Sequence, residues 1–355
     1  MQTLVSIQYL RAVAAMMVVL THLHPQWTRM GYEGPWPFWL IGGVDIFFVI
    51  SGFIMAQTTR EQSQTPGQFY IRRVVRIVPL YWLLTSVVAS VLLLKPNLLQ
   101  STRFDAWHVV SSYLFIPSDN PGTGRIEPLL IPGWTLNYEM FFYLLFGAAL
   151  LLPSRSRVAA ITMAIGALVL FGTLVSTNSP IVNFYTSSIM LEFVFGIWLS
   201  QAHNAGKLRL PIPWAWAAVA LGLALLPLFA FIISPLPRAL TMGLPALLIV
   251  CGALALEQQD VIPKSKSWLV LGNISYSLYL SHPIVLSAAS QLWRKAGLNE
   301  PNGLFGKADI LVFSGVAIAL TIAVALATFL YIEQPMTKKL KRLAYDLPNK
   351  TPVLR

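Results

Sequence analysis

The sequence predicts an all-α, polytopic integral membrane protein with about ten transmembrane helices and both termini in the cytoplasm. Three observations predict it. Only 25 Lys and Arg and 14 Asp and Glu occur in 355 residues, so 11 % of the chain is charged, where an ordinary soluble domain carries about 25 %. Conversely, 56 % of the residues are hydrophobic and the mean hydropathy is +0.65. So few charges cannot cover a soluble protein of this length, and disordered chains are polar and poor in aromatics. The apolar residues also form continuous runs of about 20, the length that crosses a bilayer as a helix, rather than the short alternating segments of a barrel.

These runs lie at 6–24, 37–57, 77–95, 132–152, 157–175, 183–201, 213–233, 238–256, 268–290 and 309–332. The first contains Arg11 and has no small-residue cleavage site behind it, so it reads as a retained span and not a signal peptide. The second contains Gly42-Gly43, which permits close helix approach. The third follows Arg72-Arg73-Val74-Val75-Arg76. The stretch 96–131, punctuated by Pro96, Pro117, Pro121 and Pro128, is the one long connection, and its middle from Trp107 to Phe115 reads as a short interfacial helix. The fourth run opens on Pro132-Gly133, and the fifth and sixth are plain apolar runs. The seventh and eighth are joined by the tight turn Ser234-Pro235-Leu236-Pro237, and the ninth carries a kink at Pro283. The tenth runs into Tyr331-Ile332-Glu333-Gln334-Pro335, read as a helix end that caps packing. Residues 1–335 thus form one membrane domain and 336–355 a basic cytoplasmic tail. No internal repeat is visible.

A net charge of +11 and a pI near 9.8 would suit nucleic acid, but the basic residues sit in short loops between apolar runs, as membrane topology uses them. One side collects Arg60, Arg72, Arg73, Arg76, Arg155, Arg157, Lys207, Arg209, Lys264, Lys266 and the tail, including Lys350 and Arg355. The other holds Arg29, Arg103, Arg125, Arg238, Arg294, Lys295 and Lys307. The richer side is the cytoplasmic one, which turns 96–131 outward. The single cysteine, Cys251, lies in an apolar stretch and excludes an intramolecular disulfide and a cysteine metal site.

Charge in hydrocarbon is costly, so ionisable residues inside the spans are functional candidates. Arg11 and His22 are eleven residues apart, on one face of a helix and about 16 Å apart along its axis. His24 falls on another face. The bland alternatives are a snorkelling arginine and an interfacial histidine. Asp45 lies about 12 Å below the outer end of the second span and needs a partner there. His22 is the expected one, its tautomer fixed and its basicity raised by the carboxylate. Arg72, Arg73 and Arg76 share a helix face and present guanidinium forks suited to phosphate, against the plain reading of a topology anchor. Glu139 sits about 10 Å below the outer surface. Ser275, Tyr279 and His282 form one polar face, for which helix–helix hydrogen bonding is the plain reading. By depth, the arginines sort toward the cytoplasm while His22, Asp45, Glu139 and His282 occupy the outer half. That suits a transmembrane group-transfer enzyme better than a simple ion channel.

Arg11-x10-His22, the GVDIFFVISGF segment, Arg72-Arg73-x-x-Arg76, the WTLNYE segment, GNISYSLYLSHP and the terminal IEQP follow one another over residues 5–335. In this order they resemble the acyltransferase-3 family of membrane O-acyltransferases, and within it the bacterial exopolysaccharide acetyltransferases. The resemblance implies transfer of an acetyl group from cytoplasmic acetyl-CoA to a sugar hydroxyl of an exopolysaccharide or its lipid-linked precursor, in the bacterial inner membrane. The expected partners are thus acetyl-CoA, that acceptor and membrane lipid, with no metal and no nucleic acid. Arg72, Arg73 and Arg76, with Arg11 further up, are then expected to bind the coenzyme. Its pantetheine arm runs along the first helix to His22, which acts as general base oriented by Asp45; an acyl-histidine intermediate is the variant. Glu139 joins the catalytic group, and Trp134, Asn137, Tyr279 and His282 are expected at the acceptor. Family members often carry an extra C-terminal hydrolase-like domain, and this chain resembles the stand-alone form. Two alternatives stay open. One is transfer of succinyl or another acyl group to a surface glycan, for which Arg29 is a weak candidate cation. The other is a proton-coupled sugar or lipid transporter.

Overall fold

The structure, a computed structural model, describes residues 4–61, 64–99, 102–175, 177–231, 236–299, 306 and 309–345. Ser234 and Pro235 of the expected turn, Lys307, and tail residues 346–355 with Lys350 and Arg355 lie outside the described residues. The helices are α1 (Val5–Thr21), α2 (His24–Arg29), α3 (Gly43–Glu61), α4 (Pro66–Leu94), α5 (Ala106–Tyr113), α6 (Gly133–Ala149), α7 (Ser154–Leu174), α8 (Pro180–Tyr185), α9 (Met190–Asn204), α10 (Ile212–Phe231), α11 (Leu244–Glu257), α12 (Lys266–Lys295), α13 (Asp309–Thr328) and α14 (Gln334–Tyr345). Among the described residues, the extended pairing is limited to an isolated bridge between Asp119 and Ile126.

Nine helical stretches among the described residues are long and apolar enough to cross a membrane. The tenth expected span is α6, whose 17 residues reach about 25 Å, the short end of what a bilayer accepts. The expected interfacial helix is α5. Three boundaries differ in informative ways. The third span begins at Pro66, because Thr65 and Gln68 exchange side-chain and backbone hydrogen bonds (3.2 and 3.3 Å) in a capping box with Pro66 at the first helical position. The arginine cluster therefore lies inside α4. The sixth span is divided into α8 and α9. The tenth does not end at Glu333-Gln334-Pro335: a π-turn over Phe329–Glu333 accommodates Pro335, and the chain continues as α14.

Burial sorts the spans. Helices α1, α3, α11 and α12 are the most enclosed, whereas α7, α10 and α13 are the least. The outer helices expose large apolar side chains such as Leu174 (74 %) and Leu311 (70 %), a surface suited to lipid and not to water. Glycines set the closest approaches in the centre. A Cβ on Gly52 would lie 2.0 Å from Phe193 O and one on Gly196 2.0 Å from Val49 O, so the α3 and α9 backbones touch. Gly272 does the same for α12 against Gln8 of α1 (2.3 Å). Helices α1 and α12 run side by side in the same direction, with Gly272 beside Gln8 and His282 beside His22. The start of α1 has no local cap; Glu257 at the end of α11 takes that role, accepting from Val5 N (2.6 Å), Ser6 N (3.1 Å) and Ser6 Oγ.

Candidate active site

Helices α1, α3, α4, α6 and α12 enclose a cavity of about 310 Å³. Its basic end is built by α1 and α4, which contribute Arg11, Arg73 and Arg76. Arg76 Nη1 donates to Glu333 Oε1 at 2.7 Å, and Glu333, only 1 % exposed, also accepts from Ser277 Oγ at 2.6 Å. One carboxylate thus ties α4, α12 and the π-turn together. Arg73 has no carboxylate partner among the described residues: its guanidinium lies over the Phe69 and Tyr143 rings (5.7 and 5.9 Å), and its Nε is buried without an acceptor. Among the described residues Arg11 reaches only Gln8 Oε1, at 3.4 Å. Lys341 of α14 lies within electrostatic range of Arg72, Arg73 and Arg76. A net positive field at one end of an apolar cavity is a seat for anionic oxygens.

Midway along the cavity, Glu139 Oε1 accepts from Ser51 Oγ (2.9 Å) and from Tyr143 Oη, and its second oxygen has no hydrogen bond among the described residues. Ser275 Oγ also faces the cavity, buried and unpartnered. The far wall is Tyr279, whose hydroxyl bonds Thr135 Oγ1 at 2.8 Å and lies 3.2 Å from Pro132 O. Its ring meets Phe47 on one side (5.8 Å) and His282 on the other (6.0 Å). Past Tyr279, the His22 and His282 rings meet edge to face with centroids 4.7 Å apart. His22 Nδ1 lies 2.9 Å from Val18 O and His282 Nδ1 3.2 Å from Leu278 O. A carbonyl only accepts, so in both rings Nδ1 carries the proton and Nε2 keeps its lone pair. His282 is fully buried and its Nε2 has no partner among the described residues.

Asp45 does not join this pair, which corrects the expected Asp45–His22 contact. Both its oxygens are taken by Arg238, at 2.9 Å from Nε and 2.8 Å from Nη2. Glu192, fully buried, abuts the same cluster, and the Arg238 guanidinium stands 5.9 Å over Trp134. The bidentate fork holds α3 to the start of α11 far more tightly than an imidazole would. The histidines are oriented instead by carbonyls one turn back on their own helices. Of the remaining expected residues, Arg11, Arg73, Arg76, Glu139 and Tyr279 line the cavity, and His22 and His282 sit behind Tyr279. Trp134 is turned to Arg238, Asn137 is buried with its Oδ1 unpartnered, and Arg72 does not line the cavity.

The sequence pattern of the acyltransferase-3 family, an acyltransferase domain, matches residues 4–332. The chain belongs to the acyltransferase-3 family. This acyltransferase-3 protein is 34 % identical over 299 residues to the exopolysaccharide production protein ExoZ of Rhizobium meliloti, covering 84 % of this chain and 89 % of that one. It is 28 % identical over 375 residues to the O-acetyltransferase OatA of Staphylococcus aureus, covering 96 % of this chain and 58 % of OatA, so it spans little more than half of that relative. The peptidoglycan O-acetyltransferase OatA of Listeria monocytogenes is 35 % identical over 158 residues, 41 % of this chain and 24 % of that protein. No solved structure matches. As an acyltransferase-3 member, the chain is a multi-pass membrane protein of an acyl-transferring family.

Four residues that shape the site escaped sequence reasoning. Glu333 was visible as part of IEQP but looked like a helix end, and only the continuation into α14 turns it toward Arg76. Arg238 looked like a loop cation, and Glu192 lies in a run read as plain apolar. Tyr143, one helical turn after Glu139, carried the usable signal, since that spacing puts both on one face.

Proposed function

We propose that this protein moves an acetyl group from cytoplasmic acetyl-CoA to a sugar hydroxyl of an exopolysaccharide or its lipid-linked precursor, across the bacterial inner membrane. The arginine end of the cavity then faces the cytoplasm. One observation carries the reading: a single helix, α1, supplies Arg11 to the basic cavity and His22 to an imidazole pair about 16 Å further along. The relatives named for exopolysaccharide production and O-acetylation support the acceptor class and the acyl group.

In this reading the coenzyme's phosphates sit among Arg72, Arg73 and Lys341, with Arg73 Nε as the donor in hand and Arg76 held in place by Glu333. The acyl-pantetheine arm lies along α1 past Glu139, whose free oxygen accepts one of its amide N–H groups or an acceptor hydroxyl, and Tyr279 swings aside to admit the thioester. His22 Nε2 takes the proton of the acceptor hydroxyl as its oxygen bonds to the acyl carbon. The carbon–sulfur bond then breaks, and the proton passes to the departing thiolate, giving free thiol and sugar ester. His282 stands beside it with ring centroids 4.7 Å apart; two positive rings at that distance would repel, so the pair carries a single positive charge at a time. Trp134 and Asn137 lie on the acceptor side of this arrangement.

The test is transfer of label from acetyl-CoA by the purified full chain to the cells' own polysaccharide, with NMR of polysaccharide from cells with and without the protein. Ester acetyl groups that depend on the protein support the reading. Polysaccharides with identical acetyl content, together with no turnover of labelled acetyl-CoA, refute it.

A further inference from the structure

At the end of the bundle where His22 lies, a second cavity, of about 330 Å³, opens among Arg29, Asn97, Leu98, Gln291, Arg294 and Lys295. Arg29 ends α2, Arg294 and Lys295 end α12, and Asn97 and Leu98 follow α4. This end is firmly built: Trp27 Nε1 donates to Ser314 Oγ (2.8 Å) and Trp293 Nε1 to Asp309 Oδ1 (2.6 Å), fixing α2 and α12 against α13. None of the three cations has a carboxylate within 4.0 Å among the described residues, where ion pairs form only at Arg76, Arg125 and Arg238. Arg29 Nη1 donates to Gln26 Oε1 at 2.9 Å, and Arg294 Nε is buried with no acceptor among the described residues. Arg29 and Arg294 are near enough to repel.

Gathering like charges around a cavity and leaving a guanidinium N–H unpaired both cost free energy, and a bound anion offsets both. The position narrows the anion. These residues stand where α2, α4 and α12 leave their apolar runs, the level at which a bilayer carries its phosphates. Two arginines with a lysine beside them match phosphate oxygens in geometry and charge. Arg29 lies seven residues beyond His22, and Arg294 lies twelve beyond His282, about 18 Å along α12.

We propose that this cavity binds the phosphate or diphosphate of a membrane lipid, and that the lipid is the carrier of a diphosphate-linked sugar acceptor. The second half rests on the acyl-transfer reading above. An acceptor held by its phosphates at Arg29 and Arg294 extends its sugars along α2 and α12 toward the histidine pair.

The test uses the full chain in phosphatidylcholine nanodiscs, titrated with farnesyl diphosphate in the absence of any acyl donor. The wild type is expected to bind saturably and inorganic diphosphate to compete. R29Q/R294Q is expected to bind at least tenfold more weakly. K295Q, at an exposed position, is expected to bind about threefold more weakly. Displacement of the probe by phosphatidylglycerol in the disc assigns the phosphate site to a phospholipid headgroup and overturns the carrier half; retention of the probe supports that half. No saturable binding by the wild type, or equal binding by the wild type and K295Q, overturns the site itself. Because no acyl transfer is read, failure here does not touch the acetyltransferase assay, which stands or falls separately.

Discussion

His22 and His282 make the same local bond, a donation from Nδ1 to the carbonyl four residues back, yet they are not equivalent. His22 closes α1 and is partly accessible, whereas His282 is sealed inside α12. Replacing His22 with Gln is therefore expected to lower kcat for acetyl transfer by about 10²–10⁴-fold with little change in KM for acetyl-CoA, the range for loss of a general base; steady-state kinetics on purified protein check this. Arg73 differs from Arg76 in a comparable way. Arg76 is committed to Glu333, while Arg73 Nε is unspent. Arg73→Gln is expected to raise KM for acetyl-CoA about tenfold or more, the worth of one charge-assisted hydrogen bond, with kcat nearly unchanged. At this scale the sequence was partly legible: depth and helical spacing singled out Arg11, Glu139 and Tyr279, which line the cavity, and His22 and His282, which lie behind Tyr279. The same logic paired Asp45 with the wrong partner, because spacing along one helix says nothing about which residue of a later helix arrives opposite.

At the scale of elements, the Asp45–Arg238 fork acts as a strut between α3 and the π-turn that begins α11. Removing the cation leaves Asp45 and Glu192 buried together without compensation. Arg238→Ala is accordingly expected to lower stability by about 3–5 kcal/mol, with Asp45→Asn/Arg238→Gln recovering part of the loss; thermal unfolding in detergent reads both. The long connection 96–131 carries a different dependence. His108 at the heart of α5 is 1 % exposed, its Nδ1 is 3.2 Å from Ser118 Oγ, and its Nε2 is unpartnered. Burial holds this imidazole below the ordinary histidine range, with nearby Asp105 opposing in part. The folded loop therefore resists the proton that the unfolded loop accepts. Its stability is full above about pH 7 and declines as pH falls through about 6.5. Protection factors for hydrogen exchange across 106–131, which remove the intrinsic slowing of exchange in acid, are expected to fall between pH 7 and pH 5, and His108→Gln to flatten that response.

For the whole molecule, the sequence announced the spans well, because continuous apolar runs leave few other structures possible in lipid. It was less informative about order in space, since nothing in ten similar runs says that α1 belongs at the centre and α7, α10 and α13 at the rim. The positive-inside reading turns the α14 end toward the cytoplasm. Single-cysteine variants on a Cys251→Ala background check it: a cysteine at Arg342 is expected to be shielded from an impermeant thiol reagent in intact cells, and one at Thr123 to be labelled. The central place of α1 also bears on synthesis. Its cap, Glu257, and its long neighbour α12 are some 250 residues downstream, which at 5–20 residues per second is about 10–50 s of translation. For that interval Arg11 is in the membrane without α12, which forms one wall of its cavity. The first segment made waits for one of the last, so chains that stall before α12 leave the intramembrane Arg11 incompletely enclosed, a mark by which quality control can tell them from finished molecules.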